Sequence, residues 1–370
     1  MDNFLFSKTD TSKVKGIAII MMIFHHCFLS AARYKGQIVL FMPFSEEFIN
    51  DFALSMKICV AIFTFLSAYG MTLSYKNNCD LIICSKDIRK IVIRRLISLL
   101  GGFLFVFIAV QLWDIIFIGD HRYTKIYGTG LVSFLFFFID GIGMAEFFGT
   151  KTYLATFWYM SLAIVLILVL PLLIYIYKKV NSIVFLLIGS MIFSMFFPIT
   201  SKQHFVYLPR YLFCIYLAIW AADKNIIVKI SELSFFQSKV ANNLLKFTGG
   251  LILLGIMLYF RQKARVTLML PIWEGLLSLG TCCFMYSFIN RIPVVSRILD
   301  ILGKNSMNIF LLHNFIRIVW YFEFTYSFIY WWLILFVLIC DSLAIAFIIE
   351  KIKYYIGYDK LILYLKNKDY

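Results

Sequence analysis

Ten stretches of predominantly apolar residues, each about the length of a membrane-crossing helix, recur along this chain of 370 residues. They lie at about 14–33, 54–75, 95–118, 154–177, 181–198, 207–222, 244–260, 267–289, 306–322 and 328–350. A helix of ~20 apolar residues crosses a hydrocarbon layer because it bonds its backbone N–H and C=O groups internally. The pattern predicts an all-α polytopic bundle of about ten spans. Composition agrees: 62% hydrophobic and 15% charged residues exclude a soluble globular chain, which carries roughly 45–50% apolar residues. The apolar segment around Leu131 to Ile139 is too short to span, and Gly128, Gly130, Asp140 and Gly141 flank it, so it is expected to be interfacial or re-entrant.

Charge fixes an expected orientation. Placing the amino terminus in the cytoplasm puts 23 lysines and arginines in inner segments and nine in outer ones, with Lys57, Arg210 and Arg317 within or at the ends of spans. The sequence therefore reads N-in and C-in. A net charge of +15 distributed this way reflects topology rather than nucleic-acid binding. Arg261, Lys263 and Arg265 run against the rule; either the later spans follow the earlier ones, or these cations face an anionic substrate or lipid headgroup. The first span, preceded by MDNFLFSKTDTSKVKG, is expected to act as its own insertion signal. The cysteines at 27, 59, 79, 84, 214, 282, 283 and 340 show no CxxC or paired spacing, so no disulfide framework or metal site is expected. Residues 1–350 read as one membrane domain and 351–370 as a short basic cytoplasmic tail.

The first span, KGIAIIMMIFHHCFLS (15–30), carries two adjacent histidines where hydrocarbon should be. An ionisable side chain at that depth marks a functional site by default. Lys15 and His26 are eleven residues apart, three turns plus about 20°, and so share a face at about 16 Å along the axis. His25 is turned about 100° away. A lysine at the cytoplasmic mouth suits a phosphate, and an imidazole beyond mid-bilayer suits proton transfer. The opposing reading is that the lysine only sets topology and the histidines only bridge helices.

The same stretch resembles the opening of the acyltransferase-3 family of membrane O-acyltransferases, a pattern like RGxAIxxVxxxH. Lys15 stands at the family's arginine and His26 at its histidine. The lysine keeps the charge but not the bidentate fork. Further segments are similar in order: IFTFLSAYGMTLS (62–74) with Ser67, IRRLISLL (93–100), FWYMSLAIVLILVLP (157–171) with Trp158 and Pro171, and LGKNSMNIFLLHNF (302–315) with Gly303, Ser306 and His313.

The resemblance implies transfer of an acyl group, usually acetyl, from a cytoplasmic thioester donor such as acetyl-CoA to a glycan hydroxyl at the outer face of a bacterial inner membrane. It implies His26 as general base and no tightly bound cofactor. Lys15, Arg94 and Arg95, with Lys13 and Lys90 beside them, would meet the donor's phosphates. His313 would orient His26, bind substrate or satisfy Ser306. Ser67 would accept an acyl group or merely allow close packing. Trp158 and Tyr159 line a site or belong to an aromatic belt, and Glu274 binds sugar hydroxyls or pairs with Arg265. The loop 119–153, with Asp120, His121, Arg122 and Glu146, is the natural place for acceptor specificity. The rivals are a flippase or transporter and a glycan polymerase.

Overall fold

The computed structural model describes residues 6–78, 85–117, 119, 121–196 and 207–368. Cys79, Cys84, Asp120, Lys202 and the side chain of His121 lie outside the described residues. The chain is helical, with no strand among the described residues. Its elements are α1 (Lys8–Phe28), α2 (Glu46–Ser55), α3 (Cys59–Asn78), α4 (Ser85–Phe117), the loop helices α5 (His121–Tyr127), α6 (Leu131–Gly141) and α7 (Ala145–Phe148), then α8 (Trp158–Val180), α9 (Ile183–Met195), α10 (Tyr207–Lys224), α11 (Ile226–Glu232), α12 (Lys239–Lys263), α13 (Leu270–Ser287), α14 (Pro293–Lys304), α15 (Ser306–Asn314), α16 (Phe322–Tyr326), α17 (Trp331–Tyr355) and α18 (Tyr358–Asn367).

In its described residues, each of the ten expected apolar stretches is mainly helical. By length and composition, six helical segments among the described residues suffice to cross a membrane, and a seventh if α10 and α11, bent by 67° at Asn225, count as one span. The other three stretches fall short for identifiable reasons. The first helix is long enough but carries Lys13, Lys15 and two histidines; α9 has 13 residues; α15 has nine and continues only through the π-helical Phe315–Trp320. The Leu131 segment is an 11-residue helix, exposed at Leu131, Val132, Phe134, Leu135 and Phe138.

The helix α1 is the hub, in contact with α2, α3, α13, α14, α15 and α17. It starts before its apolar run because Ser7 and Asp10 form a capping box: Ser7 Oγ accepts from Asp10 N at 3.1 Å, and Asp10 Oδ2 accepts from Ser7 N at 2.9 Å. Two glycines set how it meets α14. A Cβ on Gly16 would fall on the carbonyl of Leu299, and one on Gly303 would fall on the carbonyl of Ser12. Backbone therefore lies on backbone, the close approach that small residues permit between membrane helices. Ser12 Oγ donates to the Asp300 carbonyl at 3.1 Å across the same seam.

A buried ion cluster joins α2, α10, α12 and α13. Glu274 Oε1 accepts from Arg210 Nη2 at 2.7 Å and Arg261 Nη2 at 3.1 Å, while Arg210 Nε donates to Oε2 at 3.2 Å. Arg261 Nη1 also donates to the Ser55 carbonyl at 3.1 Å. Glu274 thus pairs with Arg210 and Arg261 rather than Arg265, whose Nε donates to the Gln262 carbonyl at the exposed end of the helix. Arg261, one turn earlier, is the residue that faces the bundle and is 2% exposed. The cations of this loop thus divide into one buried structural arginine and two at the surface.

The loop 119–153 is tied down by two buried carboxylates. Asp140 accepts from Tyr127 Oη at 2.7 Å, Tyr153 N at 2.6 Å and Thr152 Oγ1 at 3.0 Å. Asp114 accepts from Trp320 Nε1 at 2.7 Å and from Tyr153 Oη, with Arg122 Nε 3.4 Å away. At the other end of the chain the basic tail folds back as α18, where Tyr358 Oη donates to the Gly101 carbonyl at 2.9 Å.

Two outcomes follow from these contacts. Gly303→Ala forces α1 and α14 apart, at a cost of the ~1–3 kcal/mol typical of overpacking or more; in detergent the variant should lose its monodisperse elution and melt earlier. Gly249→Ala, on α12 with open space at its Cα, should melt no lower than wild type. Glu274→Gln leaves two guanidiniums on one neutral amide and should cost about 3–5 kcal/mol, read as an earlier thermal transition. Arg265→Gln, at the surface, should leave that transition in place.

Candidate active site

Along one face of α1, Lys15, Met22 and His26 follow at intervals of seven and four residues, the repeat of a straight helix face. That face lines a cavity of about 350 Å3, closed on its other sides by α3, α4, α8 and α15. Lys15, Arg95 and Ser306 lie on its wall at one end, and His25, His26 and Lys57 at the other. Ten residues of helix separate Lys15 from His25, about 15 Å at 1.5 Å per residue. Ser67, Trp158 and Tyr159 line the stretch between them. The result is an elongated chamber with cations at one end and imidazoles at the other.

The imidazole end is built from two helices. His25 Nδ1 bonds the Ala53 carbonyl at 2.8 Å, so that nitrogen carries the proton and Nε2 the lone pair. His313 is fixed the same way, its Nδ1 bonding the carbonyls of Ile309 at 3.1 Å and Phe310 at 2.8 Å on its own helix, which leaves Nε2 buried without a partner. His26 lies between them, its ring centroid 5.3 Å from His25 and 5.1 Å from His313. Its Nδ1 is also buried without a partner. His26 is nevertheless half-buried and faces the cavity, so its accessible surface lies away from Nδ1. His313 does not line the cavity; it backs His26, and its bonds go to its own helix rather than to Ser306.

Behind His313 is a further buried guanidinium. Arg317, 1% exposed, donates through Nε to Asn314 Oδ1 at 3.0 Å and through Nη1 to Tyr326 Oη at 3.2 Å. Tyr326 Oη in turn donates to the Cys27 carbonyl at 3.1 Å, so this chain of bonds ends on the residue after His26. It holds the end of α1 against α15 and α16.

At the other end, Arg95 Nη2 donates to the Gly70 carbonyl at 3.2 Å and Ser74 Oγ at 3.0 Å, which brings its guanidinium across to α3 at the level of Lys15. Lys15 Nζ makes no ion pair or hydrogen bond among the described residues. Arg94 goes elsewhere. One residue from Arg95 is 100° around the helix, and Arg94 is exposed with its Nε donating to the Lys366 carbonyl of α18 at 2.9 Å. It belongs to the anchorage of the tail and not to the cavity. Glu274, engaged by its two arginines, is likewise absent from the cavity wall.

The cavity also gathers residues that sequence spacing did not single out. Lys57 sits on the 3-10 turn Met56–Ile58 between α2 and α3, where no helical repeat connects it to α1. His25 faces the same chamber as His26 despite its 100° offset, because the imidazole reaches across to Ala53. Tyr159, read as an aromatic belt residue or a site residue, packs its ring against Phe310 with centroids 5.7 Å apart and sets its hydroxyl near Thr64 and Ser67. Among the described residues no group of three His, Cys, Asp or Glu side chains is arranged to hold a metal ion. What the arrangement offers is anion binding at one end, a base at the other and an aromatic wall between.

No curated protein and no solved structure matches this chain. A family model does: that of the acyltransferase domain of the acyltransferase-3 type matches residues 14–351, a range that includes every residue lining the cavity. A multi-pass helical bundle with an ionisable chamber along its first helix, matched by that model over nearly its whole length, belongs to the acyltransferase-3 family of membrane acyltransferases.

Proposed function

We propose that the protein is a membrane O-acyltransferase that moves an acyl group, acetyl in the first instance, from a cytoplasmic acyl-CoA to a hydroxyl of a cell-surface or lipid-linked glycan. The observation that carries this reading is the single cavity joining Lys15 and Arg95 to the imidazole pair about 15 Å away. Charge at the Lys15 end, which the cation bias places in the cytoplasm, suits the phosphates of the donor, with Lys15 as a point charge and Arg95 as the more directional partner. The donor's thioester arm then lies along Ser67, Tyr159 and Trp158 toward His26. The setting in this reading is a bacterial inner membrane.

At the far end His26 acts as general base. The acceptor hydroxyl gives its proton to the imidazole as its oxygen attacks the thioester carbonyl carbon. The tetrahedral centre then expels the thiolate by breaking the C–S bond, and the imidazolium returns the proton to the departing sulfur. The step is neutral overall. His313 is the positioning residue: its bare Nε2 is the acceptor that a small turn of the His26 ring would bring to the His26 Nδ1–H. That bond leaves the His26 lone pair on Nε2, facing the cavity.

The test separates the two imidazoles. In membranes carrying the native glycan, His26→Ala should lower transfer of labelled acetyl from acetyl-CoA by roughly 10²–10⁴-fold. His25→Ala should retain most of the activity, because its imidazole is engaged in holding Ala53. Activity lost in the His25 variant and kept in the His26 variant would reverse the assignment. Loss of the glycan itself, rather than of its acyl decoration, would favour a polymerase or flippase.

A further inference from the structure

Lys57 has no role in that scheme, yet it is on the cavity wall. Its Nζ makes no ion pair or hydrogen bond among the described residues, and the side chain is accessible along the chamber. Arg210, Glu274 and Arg261 are the charged groups that act on it most strongly. The one carboxylate is already shared by both guanidiniums, at 2.7 and 3.1 Å. The surroundings of Lys57 are therefore cationic even before its own charge is counted. An unpaired ammonium on a cavity wall, beside a surplus of positive charge, is a site that favours an anion.

Its position says which anion. Ala53, whose carbonyl holds His25, lies one turn before Lys57, so the ammonium is at the level of the imidazoles. Gly70 and Ser74, which hold Arg95, are at least thirteen residues further on, about 20 Å along α3. An anion bound at the Lys15 end is out of reach of Lys57. Building on the acyl-transfer reading above, we infer that the acceptor carries an anionic group, a carboxylate or a phosphate, close to the hydroxyl that is acylated, and that Lys57 is its counter-ion and a determinant of acceptor specificity.

The binding test uses the full-length protein in neutral-lipid nanodiscs with three probes: methyl β-glucoside, methyl β-glucuronide and glycerol phosphate. At least one of the two anions should raise the melting temperature, and the neutral glucoside should not. Lys57→Gln should weaken that anion by about tenfold, the scale of one charge-assisted contact, and Lys57→Arg should restore it. A response to the glucuronide alone assigns the charge to a uronic-acid-type acceptor. A response to glycerol phosphate alone assigns it to a phosphate, on a glycan or a lipid headgroup. Equal response to charged and neutral probes, or anion binding undiminished in Lys57→Gln, overturns the proposal.

Acetyl transfer in native membranes gives the second readout. Lys57→Gln should raise KM for the acceptor. A fall in kcat at unchanged KM would make Lys57 a stabiliser of the transition-state oxyanion instead and would also overturn the proposal. Failure of the acyl-transfer reading is seen separately, as acetyl transfer that persists in the His26→Ala protein, whereas the anion-binding arms need no turnover.

Discussion

The backbone contact between α1 and α14 governs the arrangement of everything else. Gly16 and Gly303 each meet a carbonyl of the opposing helix, and nothing larger than hydrogen fits between them. Such a contact fixes the separation of the two helices and the rotation of α1 about its own axis. With Gly16 turned toward Leu299, Lys15, Met22 and His26 are turned toward α3 and α8, and the cavity follows. Gly16 is the neighbour of Lys15 in sequence and Gly303 lies three residues before Ser306, so this contact sits next to two of the residues that line the same end of the cavity. A membrane bundle lacks a hydrophobic drive between helices, which is why close packing of this kind and buried polar bonds must set the geometry.

The far end of α1 is fixed by a different kind of bond. His25 is held to the Ala53 carbonyl, and Tyr326 is held to the Cys27 carbonyl. His26 lies between these two ties, its backbone constrained on both sides while its ring retains an unpartnered Nδ1. A base must be placed accurately and still be free to exchange a proton. The chain meets both needs by spending the polar bonds on its neighbours. His25 is thus not turned away from the site: it is part of the cavity wall, and its Nδ1 joins α1 to α2 at Ala53.

Much of this was legible in the sequence. Apolar stretches of the right length fall on helices throughout, and Lys15 and His26 share a face because an eleven-residue interval is close to whole turns of any straight helix. Ser67, Trp158 and Ser306 also reach the cavity, on helices that their own apolar patterns define. What spacing misses is whatever depends on a break or on a distant partner. Lys57 sits on a 3-10 turn, so no periodicity carries its direction across from α3. Arg94 and Arg95 are indistinguishable as neighbours in a basic run, and only the returning helix α18 separates them. Glu274 finds Arg210 64 residues away, a pairing that no local pattern encodes.

These particulars also separate two kinds of intramembrane charge. Arg210 and Arg261 both bond Glu274, and Arg317 bonds Asn314 and Tyr326 through Nε and Nη1; these groups join helices and lie outside the cavity. Lys15 and Lys57 lack protein partners among the described residues and lie on its wall, at opposite ends. Both ammonium groups face the cavity, and no carboxylate pairs with either among the described residues. Two such ammonium groups, separated by about the 20 Å of α3 between Lys57 and the residues that hold Arg95, are the geometry on which the proposal of an anionic donor at one end and an anionic acceptor at the other rests.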